Sequence, residues 1–141
     1  MTNTYENKLS TVKINHISMH LTGDRILDVG AGHCLYSRWI GEHYKTTDVT
    51  AIDLHQPSEI KNFKYFNLDL EQPLFFDNES FDTILAFDIV EHINNEKKLM
   101  NELFRICAQG GVLIGSVPHD DDGFLPAYNL TFKHRSDITH K

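Results

Sequence analysis

The run Ile26-Leu27-Asp28-Val29-Gly30-Ala31-Gly32-His33-Cys34 constrains this chain more than any other stretch. An apolar strand carrying an acid empties into two glycines, which turn the backbone sharply and let a ligand lie almost against it. Beyond the turn, Leu35, Trp39 and Ile40 recur at helical spacing, so the turn opens a helix whose first amide N–H groups face the site. Strand, glycine turn and helix in this order form the first unit of an α/β fold with a parallel sheet.

Two ligand classes use such a turn. A dinucleotide-binding turn reads Gly-x-Gly-x-x-Gly, and its third glycine lets the helix pack closely on the strand. Leu35 occupies that third position here. Asp28, two residues before the first glycine, supplies a fixed negative charge suited to a ligand that carries a positive one. The pattern favours a cationic nucleoside. Val49 to Ile52 then reads as a second strand ending in Asp53, which is placed to accept two hydrogen bonds from a ribose cis-diol. Phe63 to Leu68 reads as a third strand, followed by Asp69, which is suited to accept from the exocyclic amine of an adenine.

The rest of the chain continues the alternation. Tyr5 to His20 has helix-compatible spacing, and Gly23-Asp24 punctuates the entry to the first strand. Gln72-Pro73 and Asp77-Asn78 mark loops around Leu74-Phe75-Phe76, and Phe81 to Phe87 forms a fourth strand. Leu99, Leu103 and Ile106 make Lys97 to Cys107 a helix that Gly110-Gly111 ends, and Val112 to Val117 gives a fifth strand. At 141 residues the chain is one domain with room for a real core. It divides into an amino-terminal helix region (1–22), a cofactor-binding core (23–118) and a partial substrate-side tail (119–141).

A hydrophobic content of 40% without a long apolar run indicates a protein with no membrane partner. The net charge of -7 speaks against broad nucleic-acid binding, which phosphate neutralisation drives. The start MTNTYENKLS lacks a basic-then-apolar pattern, and Cys34 and Cys107 sit in no metal or redox spacing, so a reducing, cytoplasmic setting is expected. The acids Asp120-Asp121-Asp122 read as a solvated loop.

Four segments in order, ILDVGAGHC, AIDLH, NLDLEQPLFFDNESFDTILAFDIVEHI and GGVLIGSVP, resemble the class I S-adenosylmethionine-dependent methyltransferases from about Gly23 to Pro118. The resemblance implies a three-layer Rossmann-like core with a mainly parallel sheet. It also implies S-adenosylmethionine as cofactor, with Asp28, Gly30, Ala31 and Gly32 around the methionine end, Asp53 at the ribose, Asp69 and the Leu70 backbone at the adenine, and Leu54 and Asp88 completing the set. Cys34 stands where the family often has a third glycine. The family's sheet continues through another helix and an antiparallel hairpin, for which the tail after Pro118 leaves no room. The edge of the fifth strand is therefore expected to be covered by a second copy, a partner chain or the 124–140 tail folding back.

Asp88-Ile89-Val90-Glu91-His92 follows the fourth strand; were it a first helical turn, Asp88 and Glu91 would share a face with His92 beside them. Carboxylates and imidazole can hold a divalent ion. Ubiquinone-pathway O-methyltransferases and small-RNA terminal 2′-O-methyltransferases carry a similar Glu-x-x-Glu-His, and the tail resembles an Asp-x-Thr-His element in which His140 would be a fourth ligand. The reading adopted assigns no metal and names Asp88, Glu91, His92 and His140 as the donors if one binds. His92, with Glu91 second, is the candidate general base. The function expected is methyl transfer to a small-molecule acceptor. The alternatives are a metal-assisted RNA 3′-end 2′-O-methyltransferase and a noncatalytic cofactor-binding or partner-binding module.

Overall fold

The computed structural model describes residues 5–89, 92–117 and 128–133. Its strands are β1 (Arg25–Val29), β2 (Asp48–Asp53), β3 (Lys64–Asn67), β4 (Phe81–Phe87), β5 (Cys107–Val117) and β6 (Tyr128–Lys133). The helices are α1 (Thr11–His20), α2 (Leu35–His43) and α3 (Glu96–Ile106). The strands form one sheet in the order β3-β2-β1-β4-β5-β6, parallel throughout except for the β5–β6 pair. The chain runs outward from β1 through β2 to β3 and then crosses back to β4 on the other side of β1. The crevice at the carboxyl ends of β1 and β4 is thus the topological switch point, where open α/β sheets hold their ligands.

Alternation along the strands builds two cores. Leu27, Val29, Ile84, Ala86 and Leu113 face the side covered by α3, and Ile26, Leu85, Val112 and Ile114 face the side covered by α1 and α2. This is the three-layer α/β arrangement read from the sequence. On α3, Leu99, Leu103 and Ile106 form one buried stripe; each contributes about 1.5–3 kcal/mol on burial. Asn95 caps that helix by accepting from the Lys98 amide at 3.1 Å. The α1–β1 connection is tied down by the buried Thr83, whose hydroxyl donates to the Thr22 carbonyl at 2.7 Å and accepts from the Thr22 amide at 2.9 Å.

Two expectations are corrected. The amino-terminal helix is two pieces, a 3-10 turn at Glu6–Lys8 and then α1, with Ser10 capping α1 by accepting from the Lys13 amide. Gly110 and Gly111 do not end α3: pairing of Cys107 with Phe81 extends the chain at once, and the glycines serve a bulge before Val112 meets Thr83. A Cβ on Gly111 would lie 2.8 Å from the carbonyl oxygens of both Ala108 and Asp82. The connections over residues 54–63 and 68–80 contain no helix, and Pro57, Leu70 and Leu74 are buried within them.

The structure selects one of the three coverings expected for the fifth-strand edge. Within the 124–140 tail, Tyr128–Lys133 supplies one strand, paired antiparallel to β5 from Val112↔Lys133 to Val117↔Tyr128. The fifth-strand edge is therefore occupied by the chain's own tail and is not open to the second copy or partner chain considered for it. Among the described residues, no helix is long and apolar enough to cross a membrane.

Candidate active site

The turn after β1 is left-handed at three positions, with φ of +65° at Gly30, +59° at Gly32 and +60° at Cys34. The amides of Gly30 and Ala31 both donate to the Ile52 carbonyl, at 2.9 and 3.2 Å, which fastens the turn to the end of β2. The two glycines do different work. A Cβ on Gly30 would lie 2.4 Å from Ile89 Cγ1, whereas a Cβ on Gly32 would meet nothing within 4 Å. Close packing requires the first glycine, and the second leaves bare backbone facing open space. Cys34 is the N-cap of α2 without a capping hydrogen bond from its side chain; its thiol instead donates to the Gly32 carbonyl at 3.7 Å. Burial, followed by the charges of Asp28 and Asp53, pushes its thiol up to about 12, which rules it out as a thiolate nucleophile near neutral pH.

The acids at the carboxyl ends are not equivalent. Asp28 shares a face with Ile26, so it points beneath α2 and is 4% exposed. Its Oδ2 accepts from the Ser37 hydroxyl at 2.7 Å. Burial pushes its carboxyl up to about 7, against the opposing effect of Ser37. Asp28 is thus held beneath α2 through Ser37 and is not an exposed charge in the crevice. Asp53 does line the turn. Its Oδ2 accepts from the Gly32 amide at 2.7 Å and its Oδ1 from the His55 amide at 3.0 Å, and each oxygen keeps acceptor capacity. Leu54 beside it is 55% exposed. The ends of β2 and β3 are held together by Tyr65, whose hydroxyl donates to the Asp53 carbonyl at 2.8 Å, and by Asn67, whose Nδ2 donates to the Leu54 carbonyl at 3.1 Å. Beyond them Asp69 is exposed and accepts from the Glu71 amide at 2.9 Å, with Leu70 buried next to it.

Asp88 begins no helix, which corrects the first-turn expectation. It adopts φ +54°, rare for a residue with a Cβ. Ser116 holds it there twice: the Asp88 amide donates to the Ser116 carbonyl at 2.9 Å, and the Ser116 hydroxyl donates to Asp88 Oδ1 at 3.0 Å. Asp88 Oδ2 takes the Lys13 ammonium at 2.6 Å. His92 is exposed, and its amide donates to the Ile89 carbonyl at 3.0 Å, closing a short turn. Glu91, His140 and Asp120 to Asp122 lie outside the described residues. Among the described residues, no three His, Cys, Asp or Glu side chains are grouped to hold a metal ion. A cavity of about 510 Å³ opens on the other side of the turn, lined by His33, Cys34, Arg38, Glu59 and Phe63 among others, and none of the four acids borders it.

Four residues that matter here were not singled out from the sequence: Lys13, Tyr36, Ser37 and Ser116. Ser37 had a signal, being a polar residue one helical turn before Ile40 on the buried stripe of α2. Lys13 and Ser116 had none, because their link to Asp88 exists only once α1, β4 and β5 are assembled.

A family model described as a methyltransferase domain matches residues 27–115, from within β1 through nearly all of β5 and including Asp28, Asp53, Asp69 and Asp88. The chain belongs to the class I S-adenosylmethionine-dependent methyltransferase family. This methyltransferase domain is 26% identical over 114 residues to sarcosine/dimethylglycine N-methyltransferase of Aphanothece halophytica, covering 71% of this chain and 40% of the relative. It is 27% identical over 127 residues to the mitochondrial ubiquinone biosynthesis O-methyltransferase of Rattus norvegicus, covering 77% of this chain and 34% of the relative. It therefore spans well under half the length of these two curated relatives. The PH0226 protein from Pyrococcus horikoshii OT3 shares the fold with a TM-score of 0.67 at 19% identity, over 83% of this chain and 59% of that one.

Proposed function

We propose that this methyltransferase domain binds S-adenosylmethionine across the carboxyl ends of β1, β2 and β3 and methylates a small-molecule acceptor presented beyond β4 and β5. The observation that carries the reading is Gly32, whose amide is anchored to Asp53 while the direction of its missing Cβ is empty for 4 Å. Backbone held on one side and bare on the other is a cradle for a ligand that must approach the main chain.

In this reading Gly30, Ala31 and Gly32 face the methionine end, and Asp53 accepts from the ribose hydroxyls with its remaining lone pairs. Leu54 lies along the adenine, whose amine Asp69 accepts beside the Leu70 backbone. Asp28 acts at one remove, by fixing α2 under the turn through Ser37. Asp88, committed to Ser116 and Lys13, belongs to the acceptor side. When bound, the cofactor supplies a methyl group already activated on a sulfonium. The chain then has to align the acceptor and exclude water, a proximity contribution. An acceptor of high pKa also needs a base, for which His92 is the first candidate and Glu91 the second. Two relatives whose names specify small-molecule pathways support an acceptor of that class.

Calorimetric titration with S-adenosylhomocysteine tests the reading. The domain is expected to bind one equivalent, and Gly32→Val to abolish binding while the left-handed backbone costs it about 1–2 kcal/mol of stability. A Gly32→Val protein that folds and binds as the parent does would refute the cradle.

A further inference from the structure

We propose that Asp88, Tyr36 and Phe87 form a cation-recognition site on the acceptor side of the crevice, that the Lys13 ammonium occupies it in the free protein, and that the methyl acceptor carries a positively charged nitrogen that takes its place. The inference rests on the methyltransferase reading for what the acceptor undergoes. The site itself stands on geometry. Lys13 Nζ lies 2.6 Å from Asp88 Oδ2, 5.3 Å from the centre of the Phe87 ring and 5.8 Å from that of Tyr36. The two rings stand 5.3 Å apart and tilted by 59°, giving two aromatic walls beside one carboxylate. That combination attracts ammonium groups, quaternary ones included, because the negative ring faces add to the carboxylate charge.

The walls are fixed and the lysine is not. Tyr36 is oriented by the Ser10 amide, which donates to its hydroxyl at 2.8 Å. Asp88 is pinned through its backbone and its Oδ1 by Ser116, which is 1% exposed. Lys13 reaches the site on a flexible stem from the first turn of α1, and α1 is held to the sheet by Ile17, Ile14 and Leu21. The ammonium can therefore leave without moving the helix. An anionic acceptor recognised by Lys13 would instead have to displace the member that cannot move.

The backbone aims the carboxylate. Ser116 holds Asp88 at φ +54°, a left-handed conformation that Asp tolerates better than most residues, and so keeps its side chain directed at the site. Asp88 side-chain exposure of 36% leaves the carboxylate reachable from solvent. The next residue, Ile89, packs against Gly30 of the cofactor turn, so the cation site adjoins the cradle.

Choline and its neutral isostere 3,3-dimethylbutan-1-ol are suitable probes, titrated into the whole chain with and without S-adenosylhomocysteine. Lys13→Met and, independently, Lys13→Gln are expected to bind choline at least tenfold more tightly than the parent. The neutral isostere should show no such gain, and adding Asp88→Asn should erase it. Equal choline affinity in the parent and both Lys13 variants would overturn the proposal, as would acetate binding to the parent that disappears in Lys13→Met. Failure of S-adenosylhomocysteine to bind any of these proteins would count against the methyltransferase reading, while the choline titrations without it would still decide the cation site.

Discussion

The two ends of the same parallel strands use charge in opposite ways. At the amino ends Asp82 accepts from the amides of Asp24 and Arg25 and from Nε and Nη2 of Arg25. Arg105 likewise donates to Glu102, to Asn78 and to the carbonyls of Leu74 and Phe76, closing the loop between β3 and β4. Each charge there is spent on its own chain. At the carboxyl ends Asp53 and Asp69 receive only one or two backbone amides each, Gly32 faces empty space, and Asp88 is held at a positive φ. Saturated hydrogen bonding marks the end that holds the fold, and acceptors left with capacity mark the end that meets a ligand.

The largest effect should separate the two glycines of one turn. Gly30→Ala forces a Cβ at positive φ into Ile89 and should cost about 2–5 kcal/mol, the left-handed strain plus overpacking. Gly32→Ala carries the strain alone, about 1–2 kcal/mol. Denaturant unfolding of both variants checks this, and equal losses would remove the distinction drawn between them.

Asp82→Ala should come next, losing about 1.5–3 kcal/mol with its charge-assisted bonds. Its pH signature is also fixed. Hydrogen bonding from Arg25 holds the Asp82 carboxyl below its ordinary value, so its stabilisation is present above the ordinary carboxylate range and is lost as pH falls through the lowered pKa. Asp28 behaves in the reverse sense. Its native carboxyl titrates at about 7 against an ordinary 3.8, so the native state binds the extra proton. Stability from this group is complete below about pH 4 and declines as pH rises to about 7, by at most about 1.4 kcal/mol per pH unit. Asp28→Asn, which mimics the protonated form, should flatten that slope between pH 4 and 7. A slope unchanged in the variant would mean that Asp28 is not the group responsible.

Much of this contrast was legible in the sequence and some of it was not. The turn, the acids after β2 and β3, and the stripe on α3 follow from local pattern, because backbone conformation and helix face are set within a few residues. The pleat that hides Asp28 was legible too, since it must share a face with Ile26. The alternation of Tyr128, Leu130 and Phe132 was a signal for β6 that the sequence reading did not take up. The start of β5 was not legible, because Cys107 is extended by pairing with Phe81. Nor was the left-handed backbone of Asp88, which Ser116 imposes from a neighbouring strand.

The central claim is that the carboxyl ends bind cofactor while the amino ends hold the fold, and a crossed pair of variants tests it most directly. Asp53→Ala and Asp82→Ala are each measured for unfolding free energy and for S-adenosylhomocysteine affinity by calorimetry. Asp53→Ala should lose more than tenfold in affinity, equivalent to more than about 1.4 kcal/mol, and keep most of its stability. Asp82→Ala should lose stability and, where folded, bind as the parent does. Unchanged affinity in Asp53→Ala, or an equal loss of affinity in both, would contradict the account.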